Sequence, residues 1–346
     1  MVQGHLHDTL LSPAAKDGLF YQFQLFFHGS TAPGFLFASG FVAGLPRAPL
    51  SLRASLRRAR RLLFVLGVGY ALHMPSLSVW KTVLESTAAE KAHALSCNAL
   101  HVIAVTQLIV LALQWVAGRR WVAVAGGLTL AVLAATPIVW ASDLSRRFPL
   151  ALGAYVDSQA APSPFPLFPY AAFVLAGTVA GSALGRQEAR TRARRALVWG
   201  LGLLAVGGAL SLALRGRVDF WGPSPGYALI RLGGLLLLLL VVERLAQRGG
   251  RGVTALALVG HETLLVYVLH LQILYGSMLW PSLVAPWAGR FGLLAADIVL
   301  FPTMVLVLFV AAWGWHRLKA RWPQAAKTVL SFLTVAFIWE FLTSPW

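Results

Sequence analysis

Charge is the first scarcity in this chain. Only 12% of its 346 residues are charged, against about 25% in a soluble domain, so an ordinary water-facing surface is excluded. Acid is scarcer still, with 12 Asp and Glu against 29 Lys and Arg. A single cysteine, Cys97, excludes an internal disulfide and offers no thiolate metal site. The short alternating strands of an outer-membrane barrel are also missing. What is present is apolar: 58% hydrophobic residues and a mean hydropathy of +0.71. Together these predict an all-α, polytopic transmembrane helical bundle.

The formal net charge of +17 does not point to nucleic acid, which needs basic residues gathered on a soluble face. Here they sit in short loops between apolar runs. Ten such runs are read, at about 20–46, 62–80, 99–117, 121–140, 165–185, 196–214, 228–246, 253–280, 291–315 and 328–344. Every second loop is basic: Arg47 to Arg61, Arg119–Arg120, Arg186 to Arg195, Arg244 to Arg251, and Arg317 to Lys327 hold 20 of the 29 basic residues. That asymmetry predicts cytoplasmic basic loops and a multi-pass protein of the cytoplasmic membrane. Many of the 13 Trp fall near run ends, as an interfacial belt does. No soluble domain or internal repeat is evident, so residues 1–346 are expected to form one integral-membrane domain.

The opening MVQGHLHDTLL has no basic leader or cleavage site. It is too short to cross ~30 Å of hydrocarbon, which takes about 20 residues. The expectation is a first span whose front half is absent from this sequence, giving about 10–11 spans. The competing reading is a short re-entrant or surface segment.

The stretch of greatest chemical interest is QLFFHGSTAPGFLFASG, Gln24 to Gly40. It places an imidazole, His28, at membrane depth, where an ionisable group is costly and functional by default. Pro33 removes a backbone bond to the carbonyl of Gly29, beside His28. With the basic loops inside, His5, His7, His28, His73, His101 and His270 fall in the outer half of the bilayer. His93 falls in an outer loop, and His261 and His316 near the inner face. His5 and Asp8 share a helix face, as do Gln24 with His28 and Tyr267 with His270. A carboxylate beside an imidazole fixes its tautomer and raises its basicity. Arg231 lies just inside its run, and Asp297 and Glu340 are further acids in outer halves. A base, an orienting acid and a cation suit acyl transfer, and a histidine can itself be acylated.

Plainer readings stand beside these. His73 and His101 read as interfacial groups in contact with water, Arg231 as a snorkelling cation, and Glu262 as an inner-surface or helix-start group. No tight pair such as HxxxH supports a metal, so none is expected. Most of the loop charge is topology, though Arg53 to Arg61 also suits phosphates of a cytosolic donor.

Several stretches carry a resemblance. MVQGHLHD (1–8), HGSTAPGFLFASG (28–40), FPLFPYAAFVLAGTVAG (165–181) and GHETLLVYVLHLQILYG (260–276), with NALHVIA (98–104) more weakly, resemble the membrane-embedded acyltransferases of the heparan-α-glucosaminide N-acetyltransferase type in their bacterial form. The resemblance implies acetyl-CoA or another acyl-CoA as donor. It implies a glycan or glycolipid amine or hydroxyl as acceptor on the far face. Carried over by motif, His5, Asp8 and His28 become catalytic candidates. His270, Tyr267, Arg231, Gln24 and His101 become substrate-binding candidates. The departure is the Arg-Gly element of the family's first helix, which this sequence lacks. Expected partners are the bilayer, the donor and the acceptor, with no nucleic acid, and assembly into a homo-oligomer is left open. The alternative class is a proton-coupled transporter or flippase using the same histidines, weakened by the lack of an inverted repeat.

Overall fold

The structure, a computed structural model, describes residues 1–46 and 51–344. Arg47, in the first basic loop, lies outside them. Among the described residues the chain forms α-helices and no named strand. In chain order these are α1 (Val2–Leu10), α2 (Pro13–Lys16), α3 (Leu19–Gly44), α4 (Leu52–Ala71), α5 (Ala88–Ala94), α6 (Ala99–Val116), α7 (Trp121–Ala141) and α8 (Leu150–Val156). There follow α9 (Leu167–Leu184), α10 (Ala189–Ala213), α11 (Pro225–Arg248), α12 (Arg251–His261), α13 (Thr263–Tyr275), α14 (Leu293–Ala295), α15 (Phe301–Arg321) and α16 (Pro323–Thr343).

Each apolar run is helical over most or part of its length. By length and apolarity seven described helices qualify as spans, or eight if α12 and α13, bent by 77°, count as one. α3 and α4 fall outside that set for a visible reason. Gln22, Gln24 and His28 dilute α3, and five arginines from Arg53 to Arg61 occupy the front half of α4. Both are long enough at 26 and 20 residues to cross ~30 Å at 1.5 Å per residue. α3 runs unbroken through Pro33. The run expected at 62–80 ends as helix at Ala71, so His73 lies past the helix rather than within it. α1 is a helix of nine residues.

The chain divides into two compact units. The first comprises Met1–Gly29, Met74–Lys91 and Leu245–Trp346. Its core joins Leu6, Leu10 and Leu11 of the N-terminal segment to Leu274 of α13 and to Met304 and Leu308 of α15. Backbone bonds add a tether: Ser12 N–H donates to the Phe291 carbonyl (2.9 Å) and Phe291 N–H to that of Leu10 (3.0 Å). α1 is thereby held beside the segment that leads into α14.

The second unit comprises Ser30–His73 and Ala92–Arg244. The crossing of α3 and α9 is built from glycine. A Cβ on Gly40 or Gly44 of α3 would clash with the carbonyls of Val174 and Thr178 on α9. A Cβ on Gly177 or Gly181 of α9 would clash with those of Phe37 and Phe41 on α3. These are two small-xxx-small motifs facing one another, the arrangement that lets helices approach without a hydrophobic driving force. Gly200 and Gly207 of α10 meet Gly233 and Gly226 of α11 similarly.

Candidate active site

The site lies within the first unit, and α1 is its centre. At 3.6 residues per turn, Gln3 and His7 share one face of α1. Asp297, in the π-helical turn Ala296–Leu300 ahead of α15, faces them. Its Oδ1 accepts from Gln3 Nε2 (2.7 Å) and from His7 Nε2 (2.8 Å), and its Oδ2 accepts from Gln24 Nε2 on α3 (3.1 Å). One carboxylate therefore ties three segments together. A carboxylate only accepts, so His7 carries its proton on Nε2. That leaves Nδ1 of a wholly buried ring with no partner among the described residues.

The His7 ring packs edge-on to His28, with centroids 5.3 Å apart. His28 in turn rests on the backbone of α1 at Gly4, where an added Cβ would come within 3.3 Å of its Cγ. Gly4 is thus the residue that lets α3 bring its imidazole against α1.

On the other face of α1, His5 Nδ1 lies 3.1 Å from the Tyr275 hydroxyl, which lies 3.1 Å from Asp8 Oδ2. The hydroxyl donates to the carboxylate and so accepts from His5. Spacing predicts His5 and Asp8 side by side; the structure interposes Tyr275. The His5 ring also lies 5.4 Å from that of His270. His270 is fully buried and its Nδ1 donates to the Val266 carbonyl (2.8 Å), which fixes the tautomer and leaves Nε2 as an acceptor with no partner among the described residues. Tyr267 packs on His270 at 5.7 Å. The two chains differ in access: Asp8 is exposed and Tyr275 is 46% exposed, whereas His7 and His270 are at 0%.

His5, Asp8, Gln24, His28, Tyr267 and His270 are therefore gathered in one unit. His101 and Arg231 belong to the second. His101 completes a capping box with Asn98 at the start of α6: its Nδ1 accepts from the Asn98 N–H (3.2 Å), and the Asn98 side chain accepts from the His101 N–H. That is a structural duty, and its ring is enclosed by Tyr70 at 4.3 Å. The Arg231 guanidinium stacks 3.7 Å from the Tyr227 ring centroid and donates to its hydroxyl. His73 accompanies His93, with ring centroids 4.7 Å apart. In the first unit, Glu262 sits at the α12–α13 break, 4% exposed, accepting from His316 (3.0 Å) and Lys319 (2.6 Å). That fits its reading as a helix-start group.

Sequence reasoning left Asp297 in the background and gave His7 and Tyr275 no role. Asp297 was discoverable: it is the acid of a 29-residue apolar segment, Leu293–Arg321, where an ionisable group is a functional-site candidate. Tyr275 carries no such mark.

Long apolar helices, with a cluster of oriented imidazoles inside the first unit, define the class, a multi-pass membrane protein with a histidine-rich candidate site. A family model described as heparan-alpha-glucosaminide N-acetyltransferase, catalytic, matches residues 1–214. The chain belongs to that family of transmembrane acetyltransferases. His270, Tyr275 and Asp297 lie beyond the matched residues. No curated protein and no solved structure matches the chain at a significant level.

Proposed function

We propose that the protein moves an acetyl or other acyl group from cytosolic acyl-CoA to an amine or hydroxyl of a glycan or glycolipid at the opposite face of the cytoplasmic membrane. The observation that carries the reading is the contact between His28 and the His7–Asp297 pair: imidazoles beside one another, one held by a carboxylate.

His28 acts as the base. It removes the acceptor's proton as the acceptor attacks the thioester carbonyl. The carbon–sulfur bond breaks, the amide or ester bond forms, and coenzyme A leaves as a thiolate that takes up a proton. In the alternative in which His28 is itself acylated, its ring nitrogen first displaces coenzyme A, forming an acyl-imidazole as the carbon–sulfur bond breaks, and that carbon–nitrogen bond then breaks as the acceptor attacks and the amide or ester forms. His7 holds its place through Asp297 and Gln3. The His5–Tyr275–Asp8 chain conducts the proton to the exposed end, and His270, Tyr267 and Gln24 line the acceptor side. His101 and Arg231, also substrate-binding candidates by motif, belong to the second unit. The basic loops face the cytoplasm, where Arg53 to Arg61 suit donor phosphates. Residues 1–346 act as a single integral-membrane domain.

Labelled acetyl-CoA incubated with membranes containing the protein tests this. Acetylated product is expected from the unaltered protein and none from His28→Ala. Unchanged turnover in that variant removes His28 from the mechanism. Substrate uptake into proteoliposomes that needs no acyl donor favours a transporter instead.

A further inference from the structure

The second unit carries a feature that acyl transfer does not use. Five arginines flank the start of α10 (Arg186, Arg190, Arg192, Arg194 and Arg195), and they separate by environment. Arg192 is tied to Glu243 on α11. Arg190, Arg194 and Arg195 are exposed, and among the described residues no carboxylate lies within ion-pair distance of them. With Thr191, Val198 and Trp199 these three line a cleft of about 490 Å³.

Val198 and Trp199 also line a second cavity, of about 630 Å³, whose lining extends along α10 through Gly202 and Val206. Its walls are almost wholly apolar and include Leu130 and Leu236. At 1.5 Å per residue, Val198 to Val206 covers ~12 Å. That is close to one leaflet's share, about 15 Å, of a ~30 Å hydrocarbon core. A cationic pocket therefore opens into a greasy furrow of about one leaflet's depth, with a tryptophan at the junction where interfacial aromatics sit.

We infer that this face of α10 is a binding site for an anionic phospholipid, its phosphate in the arginine cleft and an acyl chain along the furrow. A zwitterionic lipid carries its own cation and gains little from three unpaired guanidinium groups. An anionic headgroup is attracted by each basic residue at the membrane surface and matches the planar fork of arginine. Gly202 keeps the furrow open: no heavy atom lies within 4 Å of where its Cβ would be. A larger side chain there starts into open space and occupies the furrow.

Native mass spectrometry of the detergent-solubilised protein, titrated with phosphatidylglycerol or phosphatidylcholine, tests the site. One phosphatidylglycerol is expected to be retained at least tenfold more tightly than phosphatidylcholine. Arg190→Gln/Arg194→Gln/Arg195→Gln weakens it about a hundredfold, Gly202→Phe weakens it comparably, and Arg119→Gln/Arg120→Gln in another basic loop leaves it unchanged. Circular dichroism checks that each variant is folded. Equal retention of the two lipids, loss in the control variant, or full retention by either test variant overturns the inference. Displacement of the lipid one-for-one by palmitoyl-CoA assigns the site to the acyl donor and overturns it equally.

Discussion

Removing the Asp297 carboxylate is the most informative perturbation of the first unit. Three side chains from two helices donate to it. Hydrogen bonds to a charged group contribute about 1.5–3 kcal/mol each, but the contributions do not simply add. The carboxylate is 23% exposed, and Gln3 and Gln24 are only partly buried, so water replaces much of what they lose. His7 is different, because it is at 0% exposure. Its stranded N–H costs about 1–3 kcal/mol. Asp297→Ala is therefore expected to cost ~3 kcal/mol in all. Asp297→Asn keeps an acceptor oxygen and should cost about 1 kcal/mol. Thermal unfolding in detergent, followed by circular dichroism at matched scan rates, reads the order: wild type, then Asn, then Ala, each several degrees below the last. Acetyl transfer should fall in the same order, with Asn impaired more than its stability loss explains, since an amide that can donate as well as accept no longer fixes the His7 tautomer. Equal melting and turnover in Asp297→Ala and wild type would refute the claim that this carboxylate holds the site together.

Other expectations follow from single contacts. Tyr275→Phe removes the hydroxyl between His5 and Asp8; stability should fall by about 1 kcal/mol while turnover drops and its pH profile shifts, and an unaltered profile would mean that the chain conducts no proton. Gly177→Leu forces a side chain into the backbone of α3 at Phe37; loss of at least 1–3 kcal/mol, or failure to accumulate folded protein, is expected on thermal melting. Cys97 is fully buried, and burial pushes its thiol pKa up; a maleimide should label it only after denaturation, and rapid labelling of native protein would contradict its packing.

The helices are legible because a bilayer demands long apolar segments, and the sequence holds ten such runs. The errors fell where another force competes with hydropathy. Arginines of the first basic loop are absorbed into the front of α4, because arginine is a good helix former. The run at 253–280 breaks at Glu262, a buried acid held by His316 and Lys319. Within the site, local pairs on one helix face were readable, and most of the named groups do lie together. Contacts between distant segments were not: His7 and Asp297 are 290 positions apart, and His5 and Tyr275 are 270 apart. Helical spacing predicts which residues share a face, not which neighbouring helix supplies the partner. His101 shows the converse, a histidine whose conspicuous depth reflects a helix cap.

The central claim is that an imidazole on α3, backed by the His7–Asp297 pair, transfers an acyl group across the membrane. Inside-out vesicles holding a trapped glucosamine-terminated acceptor, supplied externally with radiolabelled acetyl-CoA, measure that directly. Label should appear on the trapped acceptor with the unaltered protein and be absent with His28→Ala. Equal label in the two, or label only on acceptor added outside, would contradict the account.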